Sequence, residues 1–232
     1  MNKTKTTDIS SFINWLFSKY PLEKSYNSEI ERLESTMKTT ANCRFYAAER
    51  LILNSRITFF TTTILSLGLI LIPLIQMTKI QLKLSGEVLS AIQIFLAVSV
   101  LVYSVIIKNG QYEIRSERFN KCGNDLKRLI REVRSLKQED DNSDTHLKRV
   151  REKYSRIISN IENHSRNDYL RATLTLYDIY KVSGVIWLLK WGKYYFSLLL
   201  EHFSSLLLLL LEVLIITDML GITKISTPLL SS

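Results

Sequence analysis

Little in this chain could build a metal site or a familiar enzyme. Its two cysteines, Cys43 and Cys122, form no CxxC pair, and its three histidines, His146, His164 and His202, are scattered. No GxxxxGKS/T phosphate cradle, GxSxG elbow or HExxH helix occurs, and no carboxylate pair falls in a cleft-like pattern. The expectation is therefore no enzyme and no cofactor. Glu162-Asn163-His164 could suggest catalysis, but beside Asp168 and Tyr169 on a predicted helix it reads as a capping or packing network. Proline and glycine are also scarce, and neither falls between Glu29 and Leu67, so that stretch is predicted to be one unbroken helix. A cleavable secretory signal is missing too. The apolar run from Phe12 to Phe17 is short, broken by Asn14 and followed by no small-residue cleavage site, so uncleaved insertion is expected.

What the chain does have is apolar residues in blocks. Residues 57–77 and 88–107 carry no charge over 21 and 20 positions. At 1.5 Å per residue, each matches a hydrocarbon core of about 30 Å. The formal charge is +9, and the basic residues lie unevenly around these spans. Lys38, Arg44, Arg50 and Arg56 precede the first, Lys108, Arg115, Arg118 and Lys121 follow the second, and only Lys79 and Lys83 lie between. By the positive-inside rule this is a hairpin with both ends cytoplasmic, in a multi-pass protein whose N-terminus is cytoplasmic. The basic residues are interleaved with acids and form no aromatic-basic platform, so no direct nucleic-acid binding is expected.

The predicted fold is an all-α membrane protein: a two-helix transmembrane hairpin, extended by long cytoplasmic helices into an antiparallel bundle, plus a hydrophobic C-terminal helix. Residues 1–27 hold an amphipathic helix (8–19, ended by Pro21) and a linker. Residues 28–138 form the hairpin with its extensions, 139–184 a cytoplasmic helical region, and 185–232 the hydrophobic C-terminal helix. Ser28 and Glu31 make a capping box that opens the first long helix. Beyond the second span the helix continues to about Gln138, with Gly110 and Gly123 as weak points. Leu126, Leu129, Val133 and Leu136, then Leu147, Val150, Tyr154, Ile157 and Ile161, follow 3-4 spacings. Two such seams joined by the acidic turn 139–145 can bury each other as a helical hairpin. An antiparallel register places residues whose numbers add to about 164 at equal depth. Cys43 then lies level with Cys122, and Glu49 can pair with Arg115 and Arg50 with Glu113, unless these simply sit on a solvated face.

Polar residues inside the spans are also patterned. Thr58, Thr61, Thr62 and Ser66 fall on one face of the first span, and Ser90, Gln93, Ala97 and Ser104 line a face of the second. Such stripes either let helices pack closely or, in a homo-oligomer, line a pore. Pro73 and Gly68 mark a kink or a hinge in the first span. The leucine-rich block 196–217 carries Glu201, His202 and Glu212, and at 100° per residue Lys190, Tyr194, Ser197, Glu201, Ser204, Ser205 and Glu212 share one side. Three placements satisfy that stripe: a third span facing a bundle axis, an interfacial helix, or a helix packed on the cytoplasmic hairpin. His202 reads as a packed or interfacial histidine.

The stretches "TANCRFYAAERLILNSRITFFTTTILSL" (40–67), "GQYEIRSERFNKCGNDLKRL" (110–129) and "ENHSRNDYLRA" (162–172) resemble the SLATT membrane-effector proteins, in particular their fifth subgroup. The resemblance covers roughly residues 35–180. Arg44, Ala48, Glu49 and Arg50, then Tyr112, Glu117 and Phe119, then Glu162, Asn163, His164 and Tyr169 carry it. It implies a bacterial inner-membrane effector of a defence system. Such an effector oligomerises to permeabilise or depolarise the membrane when a partner sensor releases it. The implied partner is a reverse transcriptase or a nucleotide-signalling protein. A non-conducting membrane scaffold that anchors such a partner is the alternative.

Overall fold

The computed structural model describes residues 15–16, 23–78, 82, 84–138 and 144–223. Six long helices account for most of them: α1 (Glu29–Met77), α2 (Gly86–Gly110), α3 (Tyr112–Gln138), α4 (Asp144–Ser159), α5 (Arg166–Thr175) and α6 (Gly184–Met219). Ser28 Oγ accepts the Glu31 N–H at 3.2 Å at the start of α1, and Glu29 and Glu31 meet the positive end of the helix dipole. Free of helix breakers as far as Leu67, α1 then runs through Pro73 to reach 49 residues. Ser85 caps α2. The helix that was expected to continue to Gln138 stops at Gln111, which takes the left-handed conformation (φ 42°, ψ 37°) next to Gly110. Gly123, the other weak point, stays helical because it lies inside a packed contact, where a Cβ would fall 2.7 Å from the Phe45 ring.

The chain divides into two compact units, Met1–Leu51 with Ile114–Leu198, and Ile52–Glu113 with Leu199–Ser232. Each of α1 and α6 contributes one part to each unit. In the first unit the α3 and α4 seams are buried, but not only against each other. Met37 and Ala41 of α1 join Leu126, Leu129, Val133 and Val150, with Tyr154 and Ile157 packed alongside, so the hairpin is a three-helix assembly. A second cluster gathers Cys43 with Ala172, Leu174, Ile179 and Tyr180, flanked by Trp187 and Trp191. The antiparallel register holds: Ser116 Oγ donates to the Ala48 carbonyl at 3.0 Å, two positions whose numbers add to 164. Of the N-terminal helix expected over 8–19, only Trp15 and Leu16 are described. Ser183 Oγ donates to the Trp15 carbonyl at 2.7 Å. Gly184, at φ 59°, leaves room for the Leu16 backbone, which would lie 2.3 Å from a Cβ. The acidic turn 139–143 and the side chain of Leu136 lie outside the described residues.

Both cysteines are buried, Cys43 fully and Cys122 nearly so. Burial, with the nearby Asp168 charge, pushes the Cys43 thiol up to about 12. Burial also raises Cys122, against the opposing pull of Arg44. The thiolate is the reactive form. We therefore expect maleimide to label both positions at least about 100-fold more slowly in the folded protein than after denaturation. Equal rates before and after denaturation would contradict this packing. Their resistance to labelling consequently reports burial, not the side of a membrane.

The second unit is apolar outside. Phe59, Phe60, Ile70, Ile94, Leu101, Leu210 and Val213 are all exposed. Leu65, Ile72, Leu84, Leu89, Leu96, Tyr103 and Met219 fill its interior. Among the described residues three helices are long and apolar enough to cross a membrane: α1, the helix that begins at Gly86, and α6. Greasy surfaces of this breadth on a soluble protein would be aggregation sites; on this one they suit lipid. It is a membrane protein.

Candidate functional site

The unusual feature of the second unit is where its polar groups lie. On α6 the buried positions are His202, Ser205, Glu212, Asp218 and Met219; His202, Ser205, Glu212 and Met219 follow a heptad seam in which polar residues occupy contact positions usually held by leucine. On α1 the matching buried face is Thr58, Thr61, Leu65, Gly68 and Ile72. Glu212 lies against Gly68 so closely that a Cβ there would fall 1.9 Å from Oε1. Glycine is the residue that admits this carboxylate. Among the described residues neither Glu212 oxygen has a partner in good hydrogen-bond geometry, nor has Thr61 Oγ1 or His202 Nε2. Tyr103 of α2 closes the group, its hydroxyl 3.0 Å from Ser205 Oγ. At the two ends, Asn54 donates to Glu201 at 2.7 Å, and the fully buried Asp218 accepts from Thr223 at 3.1 Å. A carboxylate this poorly partnered in an apolar interior is expensive, and groups of that kind mark functional positions in membranes.

The residues singled out from sequence are only partly brought together. Thr58 and Glu212 lie in the seam, while Thr62 and Ser66 are half-buried at its margin. Their hydroxyls return to carbonyls one turn back: Thr58 to Asn54 at 2.6 Å, Thr62 to Thr58 at 2.9 Å, and Ser66 to Thr62 at 2.8 Å. Glu201 is exposed and held by Asn54. Gln93 is half-buried and donates to Gln76 at 3.0 Å. Ser104 is exposed and bonds only to the Val100 carbonyl, at 2.8 Å. The α2 stripe is thus one residue out of phase with the true contact face of Leu89, Leu96, Ser99 and Tyr103. One position is 100° on a helix, enough to turn contact into exposure. His202 reads from sequence as packed or interfacial and is buried, but neither its place in the seam nor the burial of Asp218 follows from that reading. The 3-4 spacing from 202 to 219 was the available signal.

The first unit carries a separate charged network around the start of α5. Arg50 forks onto Asp168 at 3.0 and 3.1 Å, and Arg115 onto Glu162 at 2.7 and 3.0 Å. Arg171 meets Glu49 at 2.7 Å. Glu113 is exposed. Arg50, Arg115 and Glu49 thus all find partners in segment 162–171, which a two-helix register cannot place. Glu162-Asn163-His164 is not helical as expected; it is the loop before α5. Ser165 and Asp168 then form a reciprocal capping box; the cap of α5 thus lies just after Glu162-Asn163-His164, and the Glu162 side chain is engaged by Arg115 instead. The guanidinium of Arg44 donates to the Glu162 carbonyl and lies 5.5 Å from the Phe119 ring centroid. Burial, and then the Arg44 charge, lower the pKa of His164 and favour its neutral form. Among the described residues no cluster of His, Cys, Asp and Glu could hold a metal.

The profile of the SMODS and SLOG-associating 2TM effector domain family 5 matches residues 26–217. The chain belongs to this family. No curated protein and no solved structure gives a match. The family domain reaches well beyond residue 180, where the resemblance read from sequence ended, and takes in nearly all of α6 with His202, Ser205 and Glu212. The polar seam as far as Glu212 thus lies within the matched region. The family description counts two membrane helices, whereas the described residues of this member hold three of sufficient length and apolarity.

Proposed function

We propose that this effector assembles with copies of itself in the bacterial inner membrane and permeabilises or depolarises it once a partner releases it. The observation that carries the reading is the Glu212 carboxylate, buried against the Gly68 backbone with no side-chain hydrogen-bond partner among the described residues, in a seam of apolar helices. A polar interior that is costly when closed favours an open, wetted arrangement. The outward face of α2 supports assembly: Ser90, Ala97 and Ser104 are small and exposed, and the Gln76–Gln93 amide pair lies near the same surface. Polar and small residues on a lipid-facing helix favour helix contacts over lipid. A partner of the nucleotide-signalling kind is consistent with the SMODS and SLOG association in the family description, and a reverse transcriptase is the other candidate. The charge asymmetry around the first two spans favours a cytoplasmic N-terminus.

Expression in bacteria loaded with a potential-sensitive dye tests this reading. Wild type is expected to collapse the potential within minutes of release or overexpression, and Gln93→Leu, which removes the amide from the outer face, to slow that collapse severalfold. An undisturbed potential in cells where the protein still recruits a partner would replace the effector reading with that of a scaffold.

A further inference from the structure

The first unit contains a cleft that the membrane reading does not use. It has a volume of about 520 Å³ and lies between the polar part of α1 and α3. Lys38, Ala41 and Asn42 line one wall, at i, i+3 and i+4, and Asn124, Lys127, Arg128, Arg131 and Arg134 rise on the other. The cleft exists because α4 packs on one side of this helix pair and the 172–182 segment on another, leaving a third face uncovered. Five cations line it and no carboxylate does.

Neighbouring groups neutralise these cations only in part. Asp178 holds Lys38, and Glu34 meets Arg134 at 2.6 Å, both from an adjoining hollow. Arg128 is 3.6 Å from Asp125. Lys127 lies 4.2 Å from the Phe45 ring centroid, a contact that orients the amine without cancelling its charge. Arg131 is exposed and makes no ion pair among the described residues. A concave site lined by one sign of charge concentrates counter-ions. Arginine forks and lysine ammoniums at helical spacing suit phosphate oxygens. The rest of the lining is not ionic: Ala41 and Ile130, buried in the core, close a narrow apolar floor, and the Asn42 amide, whose N–H already donates to the Lys38 carbonyl at 2.8 Å, offers an oxygen acceptor. Cavity size and mixed chemistry together fit a compact ligand with a flat, hydrogen-bonding body and charged phosphates.

We infer that the cleft between α1 and α3 binds a small multiply phosphorylated ligand of nucleotide size, with Lys127 and Arg131 on the phosphates. This inference rests on the first unit alone and does not depend on membrane permeabilisation. The test uses the full chain in detergent, with fluorescent ATP and inorganic tripolyphosphate as probes, at about 150 mM salt so that weak surface attraction is screened. ATP is expected to bind and to be displaced by tripolyphosphate but not by sulfate at matched ionic strength. Arg131→Ala should weaken ATP binding about tenfold, the loss of one charge-assisted contact, and Lys127→Ala with Arg131→Ala should abolish it. Arg131 is exposed, so its variant should melt like wild type, which separates lost binding from lost fold. ATP binding that survives the double change, or displacement by sulfate as strong as by tripolyphosphate, would overturn the assignment. So would binding only to nanodiscs containing anionic phospholipid, because the phosphate would then belong to a lipid headgroup.

Discussion

Replacing Glu212 with leucine is expected to make the protein more stable and less active at once. Glu212 occupies a contact position in the α6 seam against Gly68, and no side chain among the described residues hydrogen-bonds its oxygens. By insertion scales an acidic side chain within a membrane helix costs about 2.5–3.5 kcal/mol. Exchanging buried ionic groups for apolar ones of similar volume often gains about 1–4 kcal/mol. Glu212→Leu should therefore raise the thermal midpoint of the purified protein by several degrees. If the carboxylate provides the wetted path of the open state, the same change should abolish depolarisation in cells. Glu212→Gln keeps shape and polarity and should retain part of the activity. The two readouts move in opposite directions, which a simple loss of folding cannot imitate. Unchanged depolarisation by a stabilised Glu212→Leu variant would remove the seam from the mechanism.

Arg50→Ala should be the most damaging change in the first unit. The guanidinium covers both oxygens of Asp168, which is 3% exposed, and one of those oxygens also accepts the Ser165 backbone N–H and hydroxyl at the cap of α5. Removing the cation leaves a buried carboxylate short of partners, at a cost of about 3–5 kcal/mol. At about 2–4 °C per kcal/mol, the melting midpoint should fall by roughly 6–20 °C. Lysine cannot reproduce the two-pronged contact, so Arg50→Lys should recover only part of the loss. Arg50→Ala combined with Asp168→Asn should be less destabilised than Arg50→Ala alone, since the stranded charge is gone. Additive losses in the double variant would show that the pair is not coupled as the geometry requires.

The legibility of this protein differs from element to element. Helix α1 was readable because nothing interrupts its helical propensity from the Ser28 cap to Leu67, and the apolar runs of 57–77 and 88–107 are long enough that lipid is their natural solvent. The ends of those helices were harder. Gln111 breaks the chain between α2 and α3 through a backbone conformation that glutamine rarely adopts. Periodicity carried the α3 and α4 seams but not their partner, because 3-4 spacing states that a face is buried and leaves open what buries it. The insertion of Met37 and Ala41 between α3 and α4 depends on the whole unit. On α2 the polar stripe looked like a contact face and is mostly exposed; on α6 the stripe drawn from Lys190 to Glu212 does include the buried Ser205 and Glu212, but it took in the exposed Glu201 and left out the buried His202 beside it.

Composition and pattern alone determined that this chain is helical, that it enters membranes, and that its long helices pair antiparallel in a register linking Ala48 to Ser116. These are local or one-dimensional properties: propensity, hydropathy and spacing act along the chain and need no partner to be read. Tertiary structure alone decided that Glu212 faces Gly68, that Arg50 closes on Asp168, and that five cations line one cleft. Each joins residues more than 80 positions apart, and their proximity follows from which helix faces remain after the larger apolar contacts are made.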